Sequence, residues 1–107
     1  MDRPKPLKFL GSSQDDLRGF PGPVRRVIGE ELRNVQNGLM PNDFKPMPSV
    51  GNGVYEIRVR LDGAWRALYV AKFSSAVYVL HVFHKKTQQT LKEDIDLAAK
   101  RYRTLGE

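Results

Sequence analysis

A chain of 107 residues fits one domain with a real but modest core, and with no cysteine it has neither a disulfide framework nor a thiolate metal site. Its two histidines, His81 and His84, form no HExxH pattern, so no structural metal and no cofactor are expected; no apolar run approaches the ~20 residues that cross a bilayer, and the N-terminus lacks a signal-peptide core, so a soluble, cytoplasmic protein without membrane contact is expected. Eighteen Lys and Arg against twelve Asp and Glu give a net charge of +6, which favours a polyanionic partner, nucleic acid first and an acidic protein second.

Lys5-Pro-Leu-Lys-Phe-Leu10, closed by Gly11-Ser12-Ser13, reads as a first strand at a sheet edge, where Pro6 is tolerated. Ser12 or Ser13 ahead of Gln14-Asp15-Asp16 marks a helix start, with a side-chain cap and acids in the first turn. This helix should end near Gly19. Phe20-Pro-Gly-Pro23 opens a second helix, in which Val24, Val27, Ile28, Leu32, Val35 and Leu39 recur at three- and four-residue steps and Gly38 is the stop. In so small a chain, only the apolar face of a sheet is large enough to cover that stripe.

Met40 to Gly53 holds three prolines, two glycines and two asparagines and reads as loop. Lys45 within it reads as a solvated lysine or as one that reaches a ligand near the sheet. Three runs follow: Val54–Arg60, Trp65–Ala71 and Ala76–Phe83. They are rich in β-branched and aromatic residues and spell consecutive antiparallel strands. Period-two alternation puts Tyr55, Ile57 and Val59 on one face and Glu56, Arg58 and Arg60 on the other. A three-residue turn containing Asp62-Gly63 keeps Arg66 off the core face. It is expected to pair Leu61 with Trp65, Val59 with Ala67, Ile57 with Tyr69, Arg60 with Arg66 and Arg58 with Leu68.

After Lys86, Thr90 and Glu93 match a capping box, and Leu91, Ile95, Ala98, Ala99 and Tyr102 form the stripe of a last helix running to about Arg103. Its basic end suits the helix dipole. No repeat, low-complexity tract or phosphate-binding Gly-rich loop is present. The expected architecture is one α+β domain over residues 1–107, ordered β-α-α-β-β-β-α: a small antiparallel sheet of about four strands, two N-terminal helices and a C-terminal helix.

Arg58, Arg60 and Arg66 thus share one sheet face, and like charges across a strand pair are destabilising. Two readings are open: a solvated ion-pair network around Glu56, or a phosphate-binding surface. Leu68 and Val70 lie on the same face and call for a bulge, a covering helix or a partner's segment. Trp65, Tyr55 and Tyr69 belong to the core face, and His81 reads as a packed, hydrogen-bonded histidine.

Phe20-Pro, Leu39-Met-Pro-Asn-Asp-Phe-Lys-Pro46, Val50-Gly-Asn-Gly-Val-Tyr-Glu-Ile-Arg58, Trp65-Arg-Ala-Leu-Tyr69, Val79-Leu-His-Val-Phe-His-Lys-Lys-Thr-Gln88 and Asp96-Leu-Ala-Ala-Lys-Arg-Tyr102 together resemble the RelE/HigB superfamily of toxins, in its phage-derived branch. The resemblance spans nearly the whole chain, in the family's order. It implies a toxin of a type II toxin–antitoxin system: a metal-independent endoribonuclease that cleaves mRNA, on the ribosome, and is held in check by a helix-turn-helix, HigA-like antitoxin.

By that resemblance Arg66 stands where the family places a functional arginine and Arg58 where relatives carry a basic residue, while Lys85 and Lys86 compete for one family position. Glu56 stands where some relatives carry lysine, and the tyrosine that some have after the last strand is absent. Cleavage by a neighbouring 2′-OH needs a base, cations for the developing charge and an acid. The catalytic candidates are Arg66 and Arg58 on phosphate, Glu56 or His84 as base, and Lys86; Arg60, Lys85 and Lys45 are expected to bind RNA. The alternatives are a non-catalytic RNA-binding module or inactivated toxin, and a structural subunit of phage origin.

Overall fold

The computed structural model describes residues 3–106. In chain order it contains β1 (Leu7–Phe9), α1 (Ser13–Arg18), α2 (Gly22–Gln36), β2 (Phe44–Pro46), β3 (Val54–Arg60), β4 (Ala64–Val70), β5 (Val77–Lys85) and α3 (Lys92–Arg103). The strands form one sheet in the order β1-β5-β4-β3-β2. β1 runs parallel to β5, and the other pairs are antiparallel. The α+β class is as expected, with a fifth strand and one parallel pair added.

The added strand is β2, inside the stretch that turn chemistry assigns to loop. It has only three residues, paired Phe44 to Ile57, Lys45 to Glu56 and Pro46 to Tyr55. Pro46 is accommodated because β2 is an edge strand. Pairing to β3, not local propensity, makes these residues a strand.

α2 starts behind Pro21, whose φ of −53° and ψ of 144° set up the first turn. It stops one turn before the apolar stripe does: Gly38 N–H bonds Val35 O, Leu39 N–H bonds Asn34 O at 2.9 Å, and Gly38 takes a φ of +85°. That is a glycine-closed helix end, so Leu39 leaves the stripe and is 60 % exposed. The expected serine cap of α1 is not made either. Ser12 Oγ bonds the Asp16 carboxylate instead, and Ser13 Oγ donates to Val79 O of β5.

Val24, Ile28, Leu32 and Val35 of α2 pack on Ile57, Val59, Trp65, Ala67, Tyr69 and Val79, the sheet's first apolar face. The second face carries its own cluster, in which Leu68, Val70 and Leu80 meet Ile95, Ala98, Ala99 and Tyr102 of α3. A covering helix therefore accounts for Leu68 and Val70. A bulge contributes as well: Leu68 pairs with His81 but Tyr69 with Val79, so Leu80 is the extra residue of β5. Its side chain is fully buried, and its carbonyl accepts from Arg101 Nη1 at 2.9 Å.

The β3–β4 turn has three residues, as expected, but begins one residue earlier. Arg60 pairs with Ala64, Arg58 with Arg66 and Ile57 with Ala67. Asp62 (φ 50°) and Gly63 (φ 129°) supply the left-handed turn, and Leu61 N–H bonds Gly63 O. A slip of two residues preserves every face assignment, yet it changes the neighbours. Arg66 faces Arg58 instead of Arg60.

Leu32 and Leu39 test this packing. Leu32→Ala should cost about 2–5 kcal/mol in urea unfolding, the range for a buried aliphatic, whereas Leu39→Ala should stay within about 0.5 kcal/mol. Equal losses at both positions would mean that the α2 stripe is misassigned.

Candidate functional site

Register defines three cross-strand rows on the face that α3 only half covers. Lys45, Glu56, Leu68 and His81 form one; Arg58, Arg66 and Phe83 the next; Arg60, Ala64 and Lys85 the last. Leu68 of the first row belongs to the α3 cluster and Phe83 of the second packs against it. Two arginines directly opposite repel, so this face requires a compensating charge.

Glu56 supplies it. Its Oε1 lies 3.4 Å from Arg66 Nε, a diagonal neighbour across β3 and β4, and its Oε2 accepts from Thr90 Oγ1 at 3.1 Å. Both ionic residues are 3 % exposed, and Arg66 Nη1 is further tied to Trp65 O at 3.0 Å. Burial pulls the Arg66 pKa below the ordinary arginine value. Glu56 opposes that pull and Arg58 adds to it. Arg66 is therefore a desolvated, anchored charge.

In front of this pair a pocket of about 410 Å³ opens, with Glu56 and Arg58 among its polar lining and Lys45 and Lys85 contributed by β2 and β5. Pro46, Met47, Pro48 and Ile95 give it apolar wall, and Gln88, Gln89 and Thr90 come from the loop after β5. Arg66 does not line it. The sequence reading gave Arg66 direct contact with phosphate, whereas the geometry presents Arg58 and Lys85 at the surface and sets Arg66 behind them.

The structure places the two lysines that the sequence left in competition differently. Lys85 is the last residue of β5, opposite Ala64, and its Nζ bonds Gln88 O at 2.5 Å. Lys86 lies outside the strand, is exposed and does not line the pocket. Partial burial lowers the Lys85 pKa, Arg66 lowers it further, Glu56 opposes, and Arg58 and Lys45 add to the push.

His84 is not brought to the cluster. It pairs with Trp65 on the opposite face, its ring stacked on the indole at 4.0 Å and 11°, with Phe20 packed on the same Trp65 at 4.8 Å. One residue of strand alternation separates it from Lys85. Arg60 is exposed at the end of β3, beside a second pocket of about 340 Å³ that it shares with Arg58. His81 is buried, with Nε2 2.7 Å from Asp94 Oδ1 of α3, a structural placement.

Sequence reasoning missed Thr90, Gln88 and Gln89 at the pocket. Thr90 carried a misleading signal, because it stands three residues before Glu93. No capping box forms; Leu91 is the N-cap residue, without a side-chain bond, and Thr90 turns to Glu56.

Residues 15–103 match the family described as phage-derived protein Gp49-like. The chain belongs to this family. Among solved structures, it is similar to the free state of a mutant E. coli toxin RelE, with a TM-score of 0.66 and 22% identity over 92% of this chain and 98% of that one. It is also similar to the RelBE2 toxin–antitoxin complex from Mycobacterium tuberculosis, with a TM-score of 0.55 and 21% identity over 78% of this chain and 100% of that chain. No curated protein matches. The Gp49-like chain therefore has a RelE-like fold.

Because Glu56 and Arg66 are buried, removing one partner strands the other. Glu56→Leu should cost about 3–5 kcal/mol in chemical denaturation, and adding Arg66→Met should recover much of the loss. Strictly additive losses would show that the pair is not coupled.

Proposed function

We propose that this protein is the toxin of a type II toxin–antitoxin system, an endoribonuclease that cleaves mRNA on the ribosome without a metal ion and so stops translation and growth. The observation carrying this reading is the open cationic pocket in which Lys45, Arg58 and Lys85 gather around one tied carboxylate. Membership of the phage-derived family and a fold shared with a RelE toxin support it. The neighbour solved as a toxin–antitoxin complex supports a cognate antitoxin as partner; that it is of the helix-turn-helix, HigA-like kind is part of the proposal and rests on the sequence resemblance alone. Toxin and substrate then meet in the cytoplasm.

In the reaction, the 2′-oxygen attacks the adjoining phosphorus, its proton passes to a base, and the 5′-oxygen leaves with a proton, giving a 2′,3′-cyclic phosphate. Arg58 offers a planar fork to the non-bridging oxygens as their charge grows. Lys85 in its neutral form takes the 2′-OH proton, a role open to a lysine whose pKa is pushed down. Lys45, across the pocket on β2, gives a proton to the leaving oxygen. Glu56 is held by Arg66 and Thr90, so it positions Arg66 instead of acting as the base. Arg60 and Lys86 attract the RNA from the exposed flank, a salt-sensitive contribution.

A base must be neutral to accept a proton. The single-turnover cleavage rate should therefore climb with pH and level off below the pH at which an ordinary lysine would titrate. Lys85→Arg, which keeps the charge but cannot deprotonate, should lose about 10²–10⁴-fold in rate while still binding RNA. Wild-type cleavage by Lys85→Arg would remove the base assignment, and RNA binding without cleavage by the wild-type protein would favour a non-catalytic RNA-binding module. Expressed alone, the protein should arrest growth, with relief on co-expression of the antitoxin; undisturbed growth with soluble, folded protein would count against the toxin reading.

A further inference from the structure

We propose that Gln88 and Gln89 read the base of the nucleotide held in the 410 Å³ pocket and give the site a preference for adenine. The inference rests on the reading of the protein as an RNA-binding toxin and names what its pocket selects. The pocket is amphipathic in the same sense as a nucleotide. Arg58, Lys85 and Lys45 supply charge for a phosphate, Pro46, Pro48 and Ile95 supply apolar wall for a base, and the two glutamine amides supply a donor and an acceptor each.

The loop that carries the amides is fastened on both sides of them. Lys85 Nζ holds Gln88 O at 2.5 Å, Thr87 Oγ1 holds Gln89 O at 2.6 Å, and Thr90 Oγ1 is bonded to Glu56 on β3. The first two bonds use the loop's carbonyls and the third a threonine hydroxyl, leaving the Gln88 and Gln89 side chains exposed, lining the pocket and without a hydrogen bond among the described residues. Fixed backbone with free amides is what a base-reading loop needs, since the donor and acceptor are positioned but not consumed.

Sequence-specific recognition of RNA works on unstacked bases, whose edges are open to hydrogen bonding. The adjacent C=O and NH₂ of a glutamine match adenine, accepting from its N6 amino group and donating to N7. The purine then packs on the proline wall, with its phosphate toward Arg58 and Lys85.

Binding of 2′-O-methyl trinucleotides tests this without cleavage, because methylation removes the attacking hydroxyl. With the four homopolymeric trinucleotides measured by fluorescence anisotropy, the wild-type protein should bind the adenine one about tenfold more tightly than the others, the scale of one bidentate pair. Gln88→Ala/Gln89→Ala should reduce that preference below about twofold, while the mean affinity for the four falls only modestly. Equal binding of all four by the wild-type protein, no binding of any, or an undiminished preference in the double variant would overturn the proposal. Cleavage is read separately on unmodified RNA: adenine-selective binding without cleavage would sink the nuclease reading and leave the base pocket standing.

Discussion

The buried pair of Glu56 and Arg66 is the constraint on which the second face of the sheet depends. Register sets Arg58 against Arg66, and like charges directly across a strand pair destabilise it. One carboxylate on the diagonal, 3.4 Å from Arg66 Nε, makes the arrangement tenable. That carboxylate in turn fixes Thr90 and therefore the entry to α3. A single ionic contact thus joins β3, β4 and the loop that closes the pocket. Its worth lies in specifying geometry, because a buried ion pair by itself adds little stability over an apolar replacement.

The same face is divided in two by packing. Toward one end Val54, Leu68, Val70 and the bulged Leu80 are covered by α3; toward the other, Arg58 and Lys85 line the open pocket and Arg60 is exposed. The bulge makes this division possible, since an extra residue in β5 lets Leu80 and His81 both serve the α3 side before alternation resumes at Phe83 and Lys85. Arg101 fastens the bulged carbonyl from α3, and His81 meets Asp94 of the same helix. α3 is held by polar bonds at both of its turns nearest the sheet as well as by its apolar stripe.

Much of this was legible because strand alternation survives errors of register. The β3–β4 pairing slipped by two residues from the expected one, yet Arg58, Arg60 and Arg66 still share a face, since side-chain direction depends only on odd or even position. Burial was less legible. Nothing local in Trp65-Arg66-Ala67 shows that the arginine is buried beside Glu56, a carboxylate that is itself bonded to Thr90, thirty-four residues away. β2 was hidden for a related reason: Phe44-Lys45-Pro46 becomes a strand through its partner. Thr90 misled because its side chain is turned to Glu56 on the sheet and Leu91 takes the N-cap position.

The division of labour between arginine and lysine at this site follows from what each can do when crowded by positive charge. Arginine keeps its proton even when desolvated, so Arg66 can sit behind the pocket as a permanent charge beside Glu56. Lysine under the same pressure shifts toward its neutral form, and Lys85 feels burial, Arg66, Arg58 and Lys45 together. Exchanging the two would reverse this: a lysine at position 66 would sit desolvated in the buried pair, and an arginine at 85 would keep its proton in the pocket. The arginines thus do more than attract a polyanion. Burial at the strand end, with the arginines beside it, moves Lys85 toward the neutral form that the proposed base role needs.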